Sequence, residues 1–475
     1  MAKDLRICVT GLSRAGKTAF ITALVDALFQ AVHRPQSFAA WRAAAEGRLH
    51  SARLLPPSGA LGAMEQFPYH ENAERLRDDP PRWPDATEKP RAITVQLTVV
   101  AARSWAARQA ARVMGQGART SLSSVNVTIL DYPGEWVLDV PLLRMSFEQW
   151  SAATLAAMDT EPRRSVAQGF LEALDRVDPA APYDDPRAKA AHEAYVAFLE
   201  ACRSQLHLSL LQPGLFLRPE QVGGRAGLLR QEAFRFFPLR PAGHAAAKGS
   251  FAQVLTQRFD TFKRNSVQAF FSSLRGPTGT RQVVLFDLLS SLSDGEHAYN
   301  DARAALAQIA EVLTPGRGWW EWLLGRPAQK VLYAVTKADH VHSSFWPNLE
   351  THLGDVLREL QAAQASGVAS FEARMLPLAS IACTRDAEDP NGREAVRGNI
   401  RDQETGQVRR DQVLAYPAPP PRRPTRQQWE ALRRAGVTGF RFPEFVLDPR
   451  MLEDRHDLPH IHLDEAIEFL LGDHV

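Results

Sequence analysis

The feature that most restricts what this chain of 475 residues can fold into lies at its start. Leu5-Arg-Ile-Cys-Val-Thr10 is a short β-branched run, followed at once by Gly11-Leu-Ser-Arg-Ala-Gly16-Lys17-Thr18 and then by the amphipathic pattern Ala19-Phe-Ile-Thr-Ala-Leu-Val-Asp-Ala-Leu-Phe29. Strand, glycine-bounded loop and helix in that order form the context that a phosphate-binding loop requires. In such a loop the backbone N–H groups of Ser13, Arg14, Ala15, Gly16, Lys17 and Thr18, continuing to Ala19, turn toward phosphate oxygens. Lys17 supplies a cation across the β and γ phosphates, the helix points its positive dipole end at them, and the Thr18 hydroxyl serves Mg2+.

Three later segments give that loop a context. Val125-Asn-Val-Thr-Ile-Leu130 reads as a second strand, ending in Asp131-Tyr-Pro-Gly134. An acidic residue at the carboxyl end of a core strand can hold Mg2+ through water, and Gly134 can offer its N–H to the γ-phosphate. Val331-Leu-Tyr-Ala-Val335 leads into Thr336-Lys337-Ala338-Asp339. The Asp339 carboxylate can accept from guanine N1–H and the exocyclic amino group, a pair that adenine cannot reproduce, while the Lys337 stem covers the base. Met375-Leu-Pro-Leu-Ala-Ser380-Ile-Ala382 offers the N–H groups of Ser380 and Ile381 to guanine O6.

Together these motifs resemble the guanine-nucleotide-binding domain of small GTPases, translation GTPases and heterotrimeric G-protein α subunits, with Thr336 where those proteins usually have Asn. More narrowly, Gly11-Leu-Ser-Arg-Ala-Gly-Lys-Thr-Ala-Phe20, Asp131-Tyr-Pro-Gly-Glu-Trp136 and Val283-Val-Leu-Phe-Asp-Leu-Leu289 resemble the YcjX-like family of bacterial P-loop NTPases, from end to end of the chain. The resemblance implies an α/β P-loop fold of the G-protein type, with a mostly parallel sheet, one antiparallel strand and a mainly helical inserted domain. It implies GTP and GDP with Mg2+ as ligands, and an association with stress responses.

The organisation follows from the alternation of patterns. Residues 1–140 hold the first part of the nucleotide domain, interrupted by a long switch insertion at about 31–90 that is rich in Pro, Arg and Ala. Ile93–Val100 and Val125–Leu130 are expected to pair as antiparallel neighbours, with a short helix near Ala101–Met114 between them. Residues 141–276 form a helical insertion large enough for its own core, with apolar spacing in Arg163–Val177, Ala188–Cys202 and Phe251–Phe271. The α/β order resumes over 277–475 with strand Gln282–Leu289, helix Ala302–Leu313, strand Lys330–Thr336, helix Asn348–Ala365 and a closing helix at Leu463–Leu471. A second insertion at about 386–430 carries a hairpin around Thr405-Gly406.

The first switch of such proteins needs a threonine that reaches Mg2+ when the γ-phosphate is present, and Thr87, just before the second strand, is the choice. Arg82 lies where Gα proteins carry a built-in arginine that offsets charge on the transferring phosphoryl group. After Gly134 stands Glu135 where many GTPases have Gln; its negative charge predicts slow hydrolysis, so Lys17, Arg82 and Glu135 make up the catalytic set. With 56 basic against 54 acidic residues there is no global field to recruit nucleic acid. Cys8, Cys202 and Cys383 have neither metal nor disulfide spacing, and no window is apolar enough to span a bilayer. The expected protein is therefore a cytoplasmic GTP-hydrolysing switch with an unknown protein partner. Trp319-Trp320-Glu-Trp322-Leu323-Leu324 leaves two readings open, internal packing or peripheral docking at the inner membrane. An ATPase using the same loop and a nucleotide-stabilised scaffold are the competing functions.

Overall fold

The computed structural model describes residues 3–56, 64–78, 81–85, 90–100, 121–217, 234–241, 247–274, 280–313, 330–358, 372–402, 405–416, 420–453 and 458–475. Its centre is a sheet in the order β2-β4-β5-β1-β6-β7-β8, with β3 beside β4. The strands are β1 Lys3–Gly11, β2 Leu49–Leu55, β3 Glu65–Gln66, β4 Arg91–Val100, β5 Leu122–Asp131, β6 Thr280–Phe286, β7 Lys330–Val335 and β8 Glu372–Pro377. β1 pairs parallel with β5 and β6, β6 with β7, and β7 with β8, whereas β4 runs antiparallel to both β5 and β2. The antiparallel pairing of β4 with β5 is as the sequence predicted.

Alternation along the strands divides the core into two layers. Ile7 and Val9 of β1, Val283 and Leu285 of β6, and Leu332 and Ala334 of β7 pack with Phe20, Leu24 and Leu28 of the first helix, Lys17–His33, and with Ile467 and Leu470 of the closing helix, Leu463–Leu471. Cys8, Val284, Phe286, Val331, Tyr333 and Val335 face the other way. That second layer runs without a break into helices Phe147–Met158, Asp185–Ser204 and Phe251–Phe262, where Trp150, Tyr195, Phe216, Phe236 and Phe259 form an aromatic cluster. The helical stretch, large enough by its length for a core of its own, packs continuously against the apolar faces of β6 and β7 on that side.

Several details differ from the expectation. The stretch 31–90, read as loop, contains β2 and the helix Tyr69–Arg77. β2 is Leu-His-Ser-Ala-Arg-Leu-Leu, without a β-branched residue, and is held by pairing with β4 rather than by propensity. The Tyr69 hydroxyl and Arg77 both bind the buried Asp26 carboxylate, at 3.0 and 2.9 Å, tying that helix to the first one. The helix expected from Ala302 begins at Glu296. The pattern Phe251–Phe271 is interrupted by a wider turn at Lys263–Gln268. The hairpin at Thr405-Gly406 belongs to a second, antiparallel sheet made of β9 Thr384–Glu388, β10 Glu394–Arg401, β11 Val408–Leu414 and β12 Glu444–Val446. The helix near Ala101–Met114 and the cluster Trp319–Leu324 lie outside the described residues.

Candidate functional site

The carboxyl ends of β1, β5, β6, β7 and β8 all open on one edge of the sheet, the place where open α/β sheets receive ligands. At the end of β1 the chain turns through Arg14 and Gly16, both in the left-handed region at φ 65° and 77°. This reversal aims the helix Lys17–His33 back across the sheet edge. Its N-terminus has no side-chain cap and no acidic residue in its first turn, which suits an anion there. The Lys17 ammonium folds back over the loop and donates to the Gly11 carbonyl at 2.9 Å. Thr18 is 7% exposed.

β5 delivers Asp131 beside that loop. Val9 of β1 is its parallel neighbour and Arg91 of β4 its antiparallel one. Asp131 is buried, and three residues on Gly134 touches the loop itself: a Cβ added there would stand 2.1 Å from the Gly11 carbonyl oxygen. Only a glycine allows that approach. Gly134 opens a short helix, Gly134–Arg144, in which Glu135, Trp136 and Asp139 are all buried. Trp136 meets Phe270 edge to face at 4.5 Å. Asp139 accepts from the amides of Gly214 and Leu215 at 2.7 and 3.1 Å, and a Cβ on Gly214 would lie 2.6 Å from the Glu135 carbonyl oxygen. Burial pushes the Asp139 carboxyl up to about 8, outweighing the two amides that favour its charged form. Sequence reasoning missed this clamp, since nothing in the sequence relates Asp139 to a loop some seventy-five residues later.

The ends of β7 and β8 form the other half of the site. Thr336 donates its N–H to the Phe286 carbonyl at 2.9 Å, locking the end of β7 to β6. Lys337 takes the left-handed conformation at φ 61°, which turns the chain into Ala338–His340. One oxygen of the buried Asp339 carboxylate accepts the Cys383 N–H at 2.7 Å, and the Thr384 hydroxyl donates to the Asp339 carbonyl. In the loop after β8, Ala379 and Ala382 give their N–H groups to the carbonyls of Ile461 and Pro459. Between them, the amides of Ser380 and Ile381 have no hydrogen bond among the described residues.

One partner was not singled out. The Lys337 ammonium is held by Asp287, the residue after β6, at 2.5 Å. The sequence carried a signal for Asp287 as a helix cap, an acid at the end of an apolar run followed three residues later by Ser290, whose N–H it accepts at 3.0 Å. Two sequence candidates are not brought to the loop by any described contact. Thr87 lies outside the described residues, and Arg82 is exposed, with its guanidinium on Asp78 at 2.5 Å.

The described residues contain no group of three or more His, Cys, Asp or Glu side chains able to hold a metal. What they offer is a buried carboxylate, Asp131, and a hydroxyl, Thr18, at the rim of one loop. Hard oxygen donors, too few to complete a cage, are what Mg2+ uses when substrate phosphates and water supply the rest. The residues therefore fit that ion.

The fold and the site together define a mixed α/β protein with a glycine loop, two acidic strand ends and a carboxylate-bearing loop along one edge of a mostly parallel sheet. Comparison places the chain more narrowly: the YcjX-like family (DUF463) matches it over residues 5–475, and the chain belongs to that family. It is 31% identical to the Ras-like GTPase YcjX of Escherichia coli K12, over 99% of this chain and 96% of that protein. It is 27% identical to the Ras-like GTPase YcjX of Shewanella oneidensis, over 99% of this chain and 94% of that one. Among the described residues no helix is long and apolar enough to cross a membrane.

Proposed function

We propose that this chain is a P-loop GTP-binding protein that slowly hydrolyses GTP to GDP and acts as a nucleotide-dependent switch, with residues 141–276 as a helical insertion. The observation that carries the guanine reading is Asp339: a buried carboxylate with one oxygen fixed by the Cys383 amide, in a loop pair where the amides of Ser380 and Ile381 have no hydrogen bond among the described residues. That set accepts from guanine N1–H and its amino group and donates to O6. Adenine presents a donor where O6 would be. The names of the two YcjX relatives support the same reading.

In the proposed site the amides of residues 13–19 take the phosphates, and Lys17 leaves the Gly11 carbonyl to bridge the β and γ groups. Thr18 and Asp131 hold Mg2+, whose charge offsets that of the phosphates when it is bound. Thr87, four residues before Arg91 in the sequence, is the proposed third oxygen donor. Gly134 gives its N–H to the γ-phosphate, and Glu135 stands where the attacking water is oriented. A carboxylate there accepts from water but repels the γ-phosphate, so turnover is slow. Arg82 reaches the phosphates only if it releases Asp78, at the surface.

Titration of Asp339→Asn tests the base assignment. One acceptor becomes a donor, so GDP loses about 2–4 kcal/mol of affinity while xanthosine diphosphate, with an oxygen at C2, gains. Unchanged GDP affinity in that variant contradicts the reading.

A further inference from the structure

Lys337 is disposed in an unusual way for a surface lysine. A lysine at the edge of a fold normally buries its stem and sends the ammonium to water. Here the tip is tied down although the side chain is not buried: it is 34% exposed, while the Asp287 carboxylate that holds its nitrogen at 2.5 Å is 4% exposed. Asp287 is itself immobilised. Its Oδ1 accepts the Ser290 N–H at 3.0 Å, and its Oδ2 accepts both the Ser290 hydroxyl at 2.6 Å and the Lys337 ammonium. The Ser290 oxygen stands 3.3 Å from the same ammonium. Lys337 adopts φ 61°, and two residues on lies Asp339. The result is a fixed, apolar four-carbon bar at the base-reading corner of the site.

Building on the guanine reading, we propose that Asp287 is a positioning residue for the base: by anchoring the Lys337 ammonium, with Ser290 as its brace, it holds the lysine stem as a platform for the face of the purine ring. Asp287 does not touch the nucleotide. It acts through Lys337, removing rotamer freedom that binding would otherwise have to freeze. The platform serves the base and not the phosphates, so its loss is confined to ligands that have a ring to stack.

This separation provides the test. Asp287→Asn keeps a side chain that caps the helix Leu288–Ser293 but removes the charge that holds Lys337. Lys337, one-third exposed, then swings into water, so the unliganded protein melts within a few degrees of the parent. Competition with a fluorescent guanine nucleotide measures affinity for GDP, ADP and inorganic tripolyphosphate with Mg2+. Asp287→Asn weakens GDP by about tenfold or more, the loss expected when binding must freeze the rotamer freedom of a released lysine, and leaves tripolyphosphate within about twofold. Lys337→Met, which keeps the stem without the anchor, weakens GDP to a similar extent, and the double variant is no worse than either. Ser290→Ala gives a smaller loss of the same kind. Equal weakening of GDP and tripolyphosphate would show that the pair only supports the scaffold, and unchanged GDP affinity would show that the anchor is idle; either overturns the proposal. If the parent protein fails to prefer GDP over ADP, the guanine reading falls and this inference with it. If that preference is present and Asp287→Asn binds GDP as tightly as the parent, only the role of Asp287 is refuted.

Discussion

Gly134→Ala is the sharpest perturbation the site allows. The added Cβ would lie 2.1 Å from the Gly11 carbonyl oxygen, 2.7 Å from its carbon and 3.1 Å from its nitrogen. All three neighbours are backbone, so no side-chain rotation relieves the clash. Reaching ordinary van der Waals contact at ~3.5 Å requires the two loops to part by more than about 1 Å. The Gly11 carbonyl receives the Lys17 ammonium, and its strand leads directly into the loop, so that displacement falls on the groups proposed to bind phosphate. Overpacking of this kind costs about 1–3 kcal/mol of stability, and a 1 Å misplacement at a reacting centre costs about 10²-fold in rate. Thermal melting without nucleotide and single-turnover GTP hydrolysis read the two effects separately. The expected result is a modestly lower Tm with hydrolysis slowed by roughly two orders of magnitude. A variant that hydrolyses GTP at the parent rate would refute the contact between these two loops as the basis of γ-phosphate sensing.

Two further outcomes follow from the same geometry. The folded Asp139 carboxyl is pushed up to about 8, against about 3.9 for an unfolded aspartate, so between those values the folded protein holds an extra proton and its stability falls as pH rises. Melting temperature should therefore drop from pH 5 to pH 9, with Asp294, also raised by burial, adding to the trend; the slope should be shallower in Asp139→Asn, and an identical slope would remove Asp139 from the explanation. Arg82→Ala should leave Tm unchanged, because its surface pair with Asp78 contributes little, while lowering kcat by about tenfold if Arg82 turns inward during turnover. An unchanged kcat assigns the compensating charge to another group.

Much of the candidate site was legible because its residues are local in sequence. Gly11–Thr18, Asp131–Gly134 and Thr336–Asp339 each sit directly after a β-branched or apolar run, so the end of the strand and the functional loop are read in a single window. The closing helix Leu463–Leu471 was found with its bounds for the same reason, five buried apolar residues on one face. What escaped was held by distant partners. β2 has weak strand propensity and exists through β4. Asp139 finds its donors in Gly214 and Leu215, and Asp287 finds Lys337 fifty residues on. Both are acids that sequence alone leaves among fifty-four. The second sheet was glimpsed only as a hairpin, because Gly406 marks a turn but nothing nearby announces that β9 and β12 will add to β10.

In the proposed site Asp339 and its neighbours select guanine. Calorimetric titration of the full chain with GTP and with ATP, both with Mg2+, tests it most directly. GTP should bind at least about a hundredfold tighter than ATP, the discrimination that two base-edge hydrogen bonds to a buried carboxylate provide. Equal affinity for the two nucleotides would contradict it.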